Sequence, residues 1–417
     1  MSDSVLGRVA LSYQLVWGPE RDPVAVLLCL HPLSDSAPDG AHLLAAIREF
    51  WHKSAPQLLL QSNAPAMVCN LLDRAVLAPA WMVVDHDTLP RPDVEASVRA
   101  AASRGAPLVW RGPRSEPIAA LQAPWYALQM VSLSMTQTLT ALASAGQPRE
   151  KILQGPARPP DVRGALCEGL ASERLAGWCL DRGEAAGVVG WPHEEAAQQL
   201  THAPMPPDQR VVLELLDAID NDESIEALEV RLGGDPALAY RFLRYANSAL
   251  LGLRSEIGSL RHGLMMVGAA TLRGWLEEQL PHASDDPDLR PLRTESVVRA
   301  RLVEQLVDAG TEHELRRELY LCGLFADLDQ LMGAPHRRLF QHVPLASRVA
   351  DAIIQMRGPY APYLAVAKAM AGLDASRLAR VCEEHDLPVE DANRALLMML
   401  GGTVRENAMV HEADLLD

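Results

Sequence analysis

The apolar positions of this chain change period part-way along it. Up to about residue 200, short alternating or wholly apolar runs take turns with longer stretches of helical spacing. Arg8–Trp17 alternates and Pro23–Leu30 is a short apolar run, so the two predict a hairpin turning at 18–22. Further strands are expected at Gln57–Gln61, Trp81–Val84, Pro107–Trp110, Tyr126–Val131, Lys151–Leu153 and Leu175–Leu180. Helices are expected at Ala41–Lys53, Ala64–Leu77, Val94–Arg104, Glu116–Leu121, Met135–Ala145 and Pro160–Ser172. Strands alternating with helices imply parallel βα units, and this many of them suggest a barrel.

The proline-rich stretch at 202–207 marks a boundary near residue 203, after a short helix ending at Leu200. Beyond it the spacing is helical. Val211, Val212, Leu215, Leu216 and Ile219 form one face, and Ile225, Leu228 and Leu232 the next. Asp235 can cap a helix with Pro236 in its first position, where proline loses no hydrogen bond. Ala239, Phe242, Leu243 and Ala246 stripe that helix, and Asn247 ends it as a residue that tolerates the left-handed conformation. Ser259 caps the next helix and Gly268 breaks it before Thr271–Trp275. Ser376–Glu384 and Val389–Leu400 are the last helices, and 406–417 is an acidic tail. The expected division is 1–202, 203–405 and the tail 406–417.

Length and charge narrow the function. The 417 residues suit two domains, each with ample core. A net charge of −16 argues against a general nucleic-acid binder, which needs a basic footprint. No apolar run reaches membrane-spanning length and the start lacks a signal-peptide pattern, so a cytoplasmic protein without a membrane partner is expected. The six cysteines form no CxxC pair and fit buried free thiols in a reducing compartment. The acidic run at 220–223 lacks the glycine and distal Glu of a calcium loop.

The Asp-Pro start at 235–236, Arg241-Phe242-Leu243-Arg244, Ala246-Asn247-Ser248-Ala249, Ile257-Gly258-Ser259-Leu260 and Leu272-Arg273-Gly274-Trp275 occur in order. This pattern resembles the HDOD domain, the HD-related output domain of bacterial signalling proteins, over about residues 205 to 400. The first half, by the order and spacing of its elements, resembles an EAL domain, the β/α barrel that hydrolyses cyclic di-GMP in its active members. The expected fold is therefore a degenerate EAL-like α/β barrel followed by an all-α HDOD domain.

Both resemblances imply catalytic positions, and neither set is filled. In the EAL-like half, Gln14 stands where the family carries Glu, and Trp110-Arg111 stand at the metal-binding Asp pair. Gln129 stands near the Lys-Asp strand and Gln154 where a catalytic Glu ends a strand; only Asp85 keeps an acid. A two-metal phosphodiesterase needs several carboxylates converging on its cations, to hold them and acidify a bound water. In the helical half, the HD pattern places Glu295 at the first His and Ala326 at the second, and Asp327 alone is retained. Catalytic residues, metal and cofactor are thus all expected to be none.

These readings imply a non-catalytic signalling scaffold or adaptor, in cyclic di-GMP or two-component signalling. Its partners would be other signalling proteins, with homodimerisation open to it. Arg241, Arg244, Arg254, Arg261 and Arg273, with Asn247, could dock an acidic or phosphorylated partner. The competing use of these arginines is internal salt bridging and solvation of helix faces. The alternative function is a nucleotide sensor that binds cyclic di-GMP in the barrel without cutting it, although that ligand is not expected.

Overall fold

The computed structural model describes residues 4–34, 37–52, 54–74, 80–112, 125–145, 160–200, 203–249, 256–307, 311–372 and 374–403. The expected elements at 116–121 and 151–153, Gln154, Arg254 and the tail 406–417 lie outside the described residues. The chain forms two compact units, one of residues 1–192 with 369–417 and the other of 193–368.

The first unit is a closed eight-stranded barrel in the order β1 to β8. The strands are β1 (Val9–Trp17), β2 (Pro23–Pro32), β3 (Gln57–Gln61), β4 (Ala80–Asp85), β5 (Leu108–Arg111), β6 (Leu128–Ser132), β7 (Leu166–Glu168) and β8 (Gly187–Val189). β1 and β2 form the expected hairpin, so β1 runs antiparallel to both its neighbours, β2 and β8. The remaining pairs are parallel, each joined by the crossover that parallel pairing requires. Helices α1 (Gly40–Phe50), α2 (Pro65–Leu72), α3 (Pro92–Ser103), α4 (Met135–Ala145) and α5 (Glu173–Asp181) accompany them.

One inner cluster threads Val16, Ala25, Leu27, Cys29, Leu59, Val83, Val109, Met130, Leu166 and Val189. Side chains alternate across a strand. Asp85 and Arg111, two residues beyond Val83 and Val109, therefore share the inward face at the carboxyl ends of their strands.

Two expected elements differ. The segment 160–172 is not a helix; it holds β7, between Gly164 and Gly169, which both take φ of +65° and end any helix there. Leu175–Leu180 is not a strand but the centre of α5. Every residue from Leu175 to Leu180 is buried, so the run shows neither period, and such runs suit a buried helix as well as a strand.

The second unit is helical: α6 (His193–Leu200), α7 (Gln209–Asp220), α8 (Ile225–Gly233), α9 (Pro236–Ala246), α10 (Leu260–Val267), α11 (Ala269–Gln279), α12 (Arg290–Gln305), α13 (His313–Leu324), α14 (Leu328–Met332), α15 (His336–Leu339), α16 (Ser347–Gln355) and most of α17 (Ala361–Met370). α12 and α13 approach closely because residue 323 is glycine; a Cβ there would lie 2.5 Å from the Ala300 Cα. The caps are as the sequence predicts. Asp235 accepts from the amides of Ala237 and Leu238, at 2.8 and 3.0 Å, and Ser259 accepts from His262. Asn247 ends α9 at φ −95° and ψ 7°, outside the left-handed region expected for it.

The unit boundaries fall elsewhere than the span 203–405. α6 belongs to the helical unit, while α18 (Ser376–Glu384) and α19 (Val389–Thr403) belong to the barrel. One buried side chain contributes to this. Asn393, fully buried, accepts from the Leu11 amide at 3.1 Å and donates to the Leu6 and Val9 carbonyls at 2.8 and 2.7 Å. It satisfies backbone groups of β1 and of the turn that leads into it.

Candidate functional site

The barrel's polar centre lies at the carboxyl ends of β4 to β7. Arg111 donates from Nε to both Glu168 oxygens, at 2.8 and 2.9 Å, and from Nη1 to Asp85 Oδ2 at 2.8 Å. The Ser132 hydroxyl donates to the same Glu168 carboxylate at 2.9 Å. The side chains of Arg111, Asp85 and Glu168 are 21%, 15% and 7% exposed, so the ions face one another with little water between them. Burial alone would lower the Arg111 pKa, but the two carboxylates outweigh it and hold the guanidinium above its ordinary range. A monovalent organic cation, fixed to the strand, occupies the space between two acids.

The structure separates the other residues expected here. Gln14 lies on β1, on the inward face it shares with Val16, and is partly buried. Trp110 and Gln129 point away from the inner cluster, because Val109 and Met130 beside them point into it. Trp110 is buried edge-on against His86 and Trp125, with ring centroids 5.8 Å away in both cases. It therefore neither fills the centre nor offers a face to a base there. Glu168 was missed, since the segment holding it read as a helix.

Two cavities open at this end. One of about 1100 Å³ is lined by Asp85, Asp87, Arg111, Gln137, Asp161 and Glu168, among others. The second, of about 350 Å³, adds Gln61 and Asn63 after β3 and Asp374 from the turn before α18.

In the helical unit, Glu295 and Asp327 belong to a network of fixed charges. Arg299 Nη1 lies 2.5 Å from Asp327 Oδ2, and Lys368 Nζ donates to Oδ1 at 3.1 Å. Burial would raise the Asp327 pKa, but Arg299 and Lys368 outweigh it and the carboxyl sits below its ordinary value. Glu295 pairs with His193 of α6. Its burial outweighs the attraction of His193 and Arg299, so its pKa lies above the ordinary value. Ala326 is buried and brings no ligand atom. His193, Arg299 and Lys368, which complete the network, carry no local motif; only the fold gathers them. Among the described residues of both units, no three His, Cys, Asp or Glu side chains form a group able to hold a metal ion.

The arginines of the central helices divide. Arg261 pairs with Glu226 and Glu229, and Arg273 with Asp220 and Glu277. Arg241 is half-buried, donates weakly to the Met205 carbonyl at 3.4 Å, and is held below its ordinary pKa by burial. Arg244 is exposed. Asn247 turns inward: its amide donates to the carbonyls of Leu243 and Ile257, at 2.7 and 2.8 Å, and its oxygen accepts from the Ile257 amide at 2.9 Å. It pins the chain returning to α10. At the base of α9, Asp235 is fully buried and also accepts from the Asp208 amide at 2.6 Å. Arg293 lies 3.5 Å from both acids and donates to the Pro206 carbonyl at 2.9 Å.

Residues 205–338 match the HDOD domain. This part of the chain is an HDOD domain. Proteins with this domain act in signalling. A Vibrio cholerae protein named cyclic di-GMP phosphodiesterase CdgJ is 27% identical over 164 residues, 39% of this chain and 38% of that protein. The uncharacterized protein YuxH of Bacillus subtilis is 23% identical over 163 residues, 37% of this chain and 39% of YuxH. The chain thus spans about two fifths of the length of the curated relatives it matches. A crystal structure of the response regulator MmoQ from Methylococcus capsulatus shares 20% identity and a TM-score of 0.37, covering 46% of this chain and 98% of that one. Among the described residues, no helix is long and apolar enough to cross a membrane.

Proposed function

We propose that this chain is a non-catalytic signalling protein, a scaffold or adaptor whose barrel is a degenerate EAL-like domain and whose HDOD domain contacts other signalling proteins. The observation that carries this reading is Arg111. Divalent-metal catalysis needs carboxylates with free lone pairs converging on a cation. Asp85 and Glu168 direct theirs at a guanidinium that cannot be displaced as a bound ion can. Asp327 is engaged in the same way by Arg299 and Lys368. One relative bears the name of a cyclic di-GMP phosphodiesterase, which makes the direct test the right one. The full chain is incubated with cyclic di-GMP and Mg²⁺ or Mn²⁺. No product is expected; turnover that Glu168→Gln abolishes would refute the proposal. Affinity purification with mass spectrometry then identifies the partner, and Arg244→Glu tests the exposed end of α9 as its docking point.

A second reading, a sensor that binds the nucleotide without cutting it, is favoured by the cavity of about 1100 Å³. Among the described residues its lining weighs against that ligand, since Asp85, Asp87, Asp161 and Glu168 would face a doubly charged phosphate ester with only His86 and Arg111 as basic groups to balance them. Calorimetric titration with cyclic di-GMP separates the readings.

A further inference from the structure

Gln61 ends β3 on the inward face, two residues beyond Leu59 of the inner cluster. It is 4% exposed, and its Oε1 has no hydrogen-bond partner among the described residues. Its amide nitrogen makes one long contact, 3.5 Å to Asn63 Oδ1. A buried carbonyl left unpaired is destabilising, so its presence calls for a donor. Gln61 lines the cavity of about 350 Å³, which is of small-molecule size.

Several groups around that cavity can accept hydrogen bonds. Asp374 brings a carboxylate that accepts from the amide and hydroxyl of Ser376 and lies within electrostatic reach of His31 and Arg380, with acceptor capacity left over. Asn63 brings a side-chain carbonyl. Of the two basic side chains in the described lining, His31 and Arg111, the guanidinium is already shared by Asp85 and Glu168, so that triad carries a net negative charge. That charge and the Asp374 carboxylate disfavour an anion. A bare divalent ion is poorly served as well, because the acids form no convergent ligand set among the described residues.

We propose that the mouth of the barrel binds a small organic cation with several N–H donors, a diamine or guanidino compound, anchored on the Gln61 carbonyl with its charge toward Asp374. This goes beyond the adaptor reading and stands or falls apart from it. The site also has walls from two distant stretches of sequence. β2, β3 and β5 supply one side, and the turn at 374–376, which follows the helical unit in the chain, supplies the other.

Agmatine is the probe, titrated into the full chain by calorimetry and by thermal shift, with NaCl and MgCl₂ at matched ionic strength. A saturable response to agmatine is expected, absent with either salt. Gln61→Met keeps the side-chain volume and removes the carbonyl. Its agmatine affinity should fall at least about tenfold, while the unliganded protein melts no lower than wild type, because an orphaned acceptor has gone. If Gln61→Met does not fold, the exposed Asp374→Asn carries the same test, with an expected loss of about tenfold. No saturable response to agmatine, an equal response to MgCl₂, or unchanged affinity in these variants would overturn the proposal.

Discussion

Replacing Arg111 by methionine tests the charge balance at the centre of the barrel. The side chain keeps much of its apolar volume but loses three charge-assisted hydrogen bonds, two to Glu168 and one to Asp85. Two carboxylates, each less than one sixth exposed, then face each other without a counter-charge. Breaking a buried pair from one side costs about 3–5 kcal/mol, because the remaining ions stay desolvated. In a unit of this size each kcal/mol shifts Tm by roughly 2–4 °C, so a fall of about 6–20 °C is expected. Tryptophan fluorescence isolates the relevant transition, since all the tryptophans but Trp275 lie in the barrel unit. Mg²⁺ or Mn²⁺ should stabilise the variant more than the wild type, because the variant offers free carboxylates. A loss below about 1 kcal/mol, the level of a solvent-exposed pair, would refute the idea that Arg111 neutralises this site.

Further expectations concern the scaffold. Asp235→Ala removes the cap of α9, leaves the Asp208 amide unpaired and takes one of two carboxylates from Arg293, which is 3% exposed and keeps Asp208; a loss above the roughly 0.5–2 kcal/mol of a simple cap is expected in denaturant unfolding of the helical unit, and a loss within that range would contradict the network. Asn393→Ala leaves three buried backbone groups unpaired; amide exchange in β1 and α19 should accelerate together, and unchanged exchange in β1 would show that the contact does not hold α19 in place. The Asp327 carboxyl titrates below its ordinary value when folded, so its ion pairs stabilise the protein fully above about pH 4 and lose that effect as pH falls through the lowered pKa. Asp327→Asn should therefore be destabilised against wild type at pH 7, with a gap that closes in acid; a gap independent of pH would discount the charges.

Much of the architecture was legible in local patterns. The β1–β2 hairpin, most of the strand–helix alternation and the caps at Asp235 and Ser259 follow from period, turn residues and side-chain acceptors a few positions from what they satisfy. The HDOD domain was legible for the same reason, its motifs being short and ordered along the chain. The absence of acids at Trp110-Arg111 was visible too. What that absence becomes was not. Arg111 read as a defect at a metal position, whereas in the barrel it is the counter-ion of two acids 26 and 57 residues away.

The primary structure by itself determined which segments are helices and strands wherever their periods are clean, and which residue types stand at the places of catalytic ones. Tertiary structure alone decided that Glu168 meets Arg111, that Arg299 and Lys368 meet Asp327, and that α19 belongs with β1. The physical reason is range. Backbone periodicity and capping act over a few residues, but a charge or a buried amide is satisfied by whatever the fold brings within about 3 Å, at any separation along the chain.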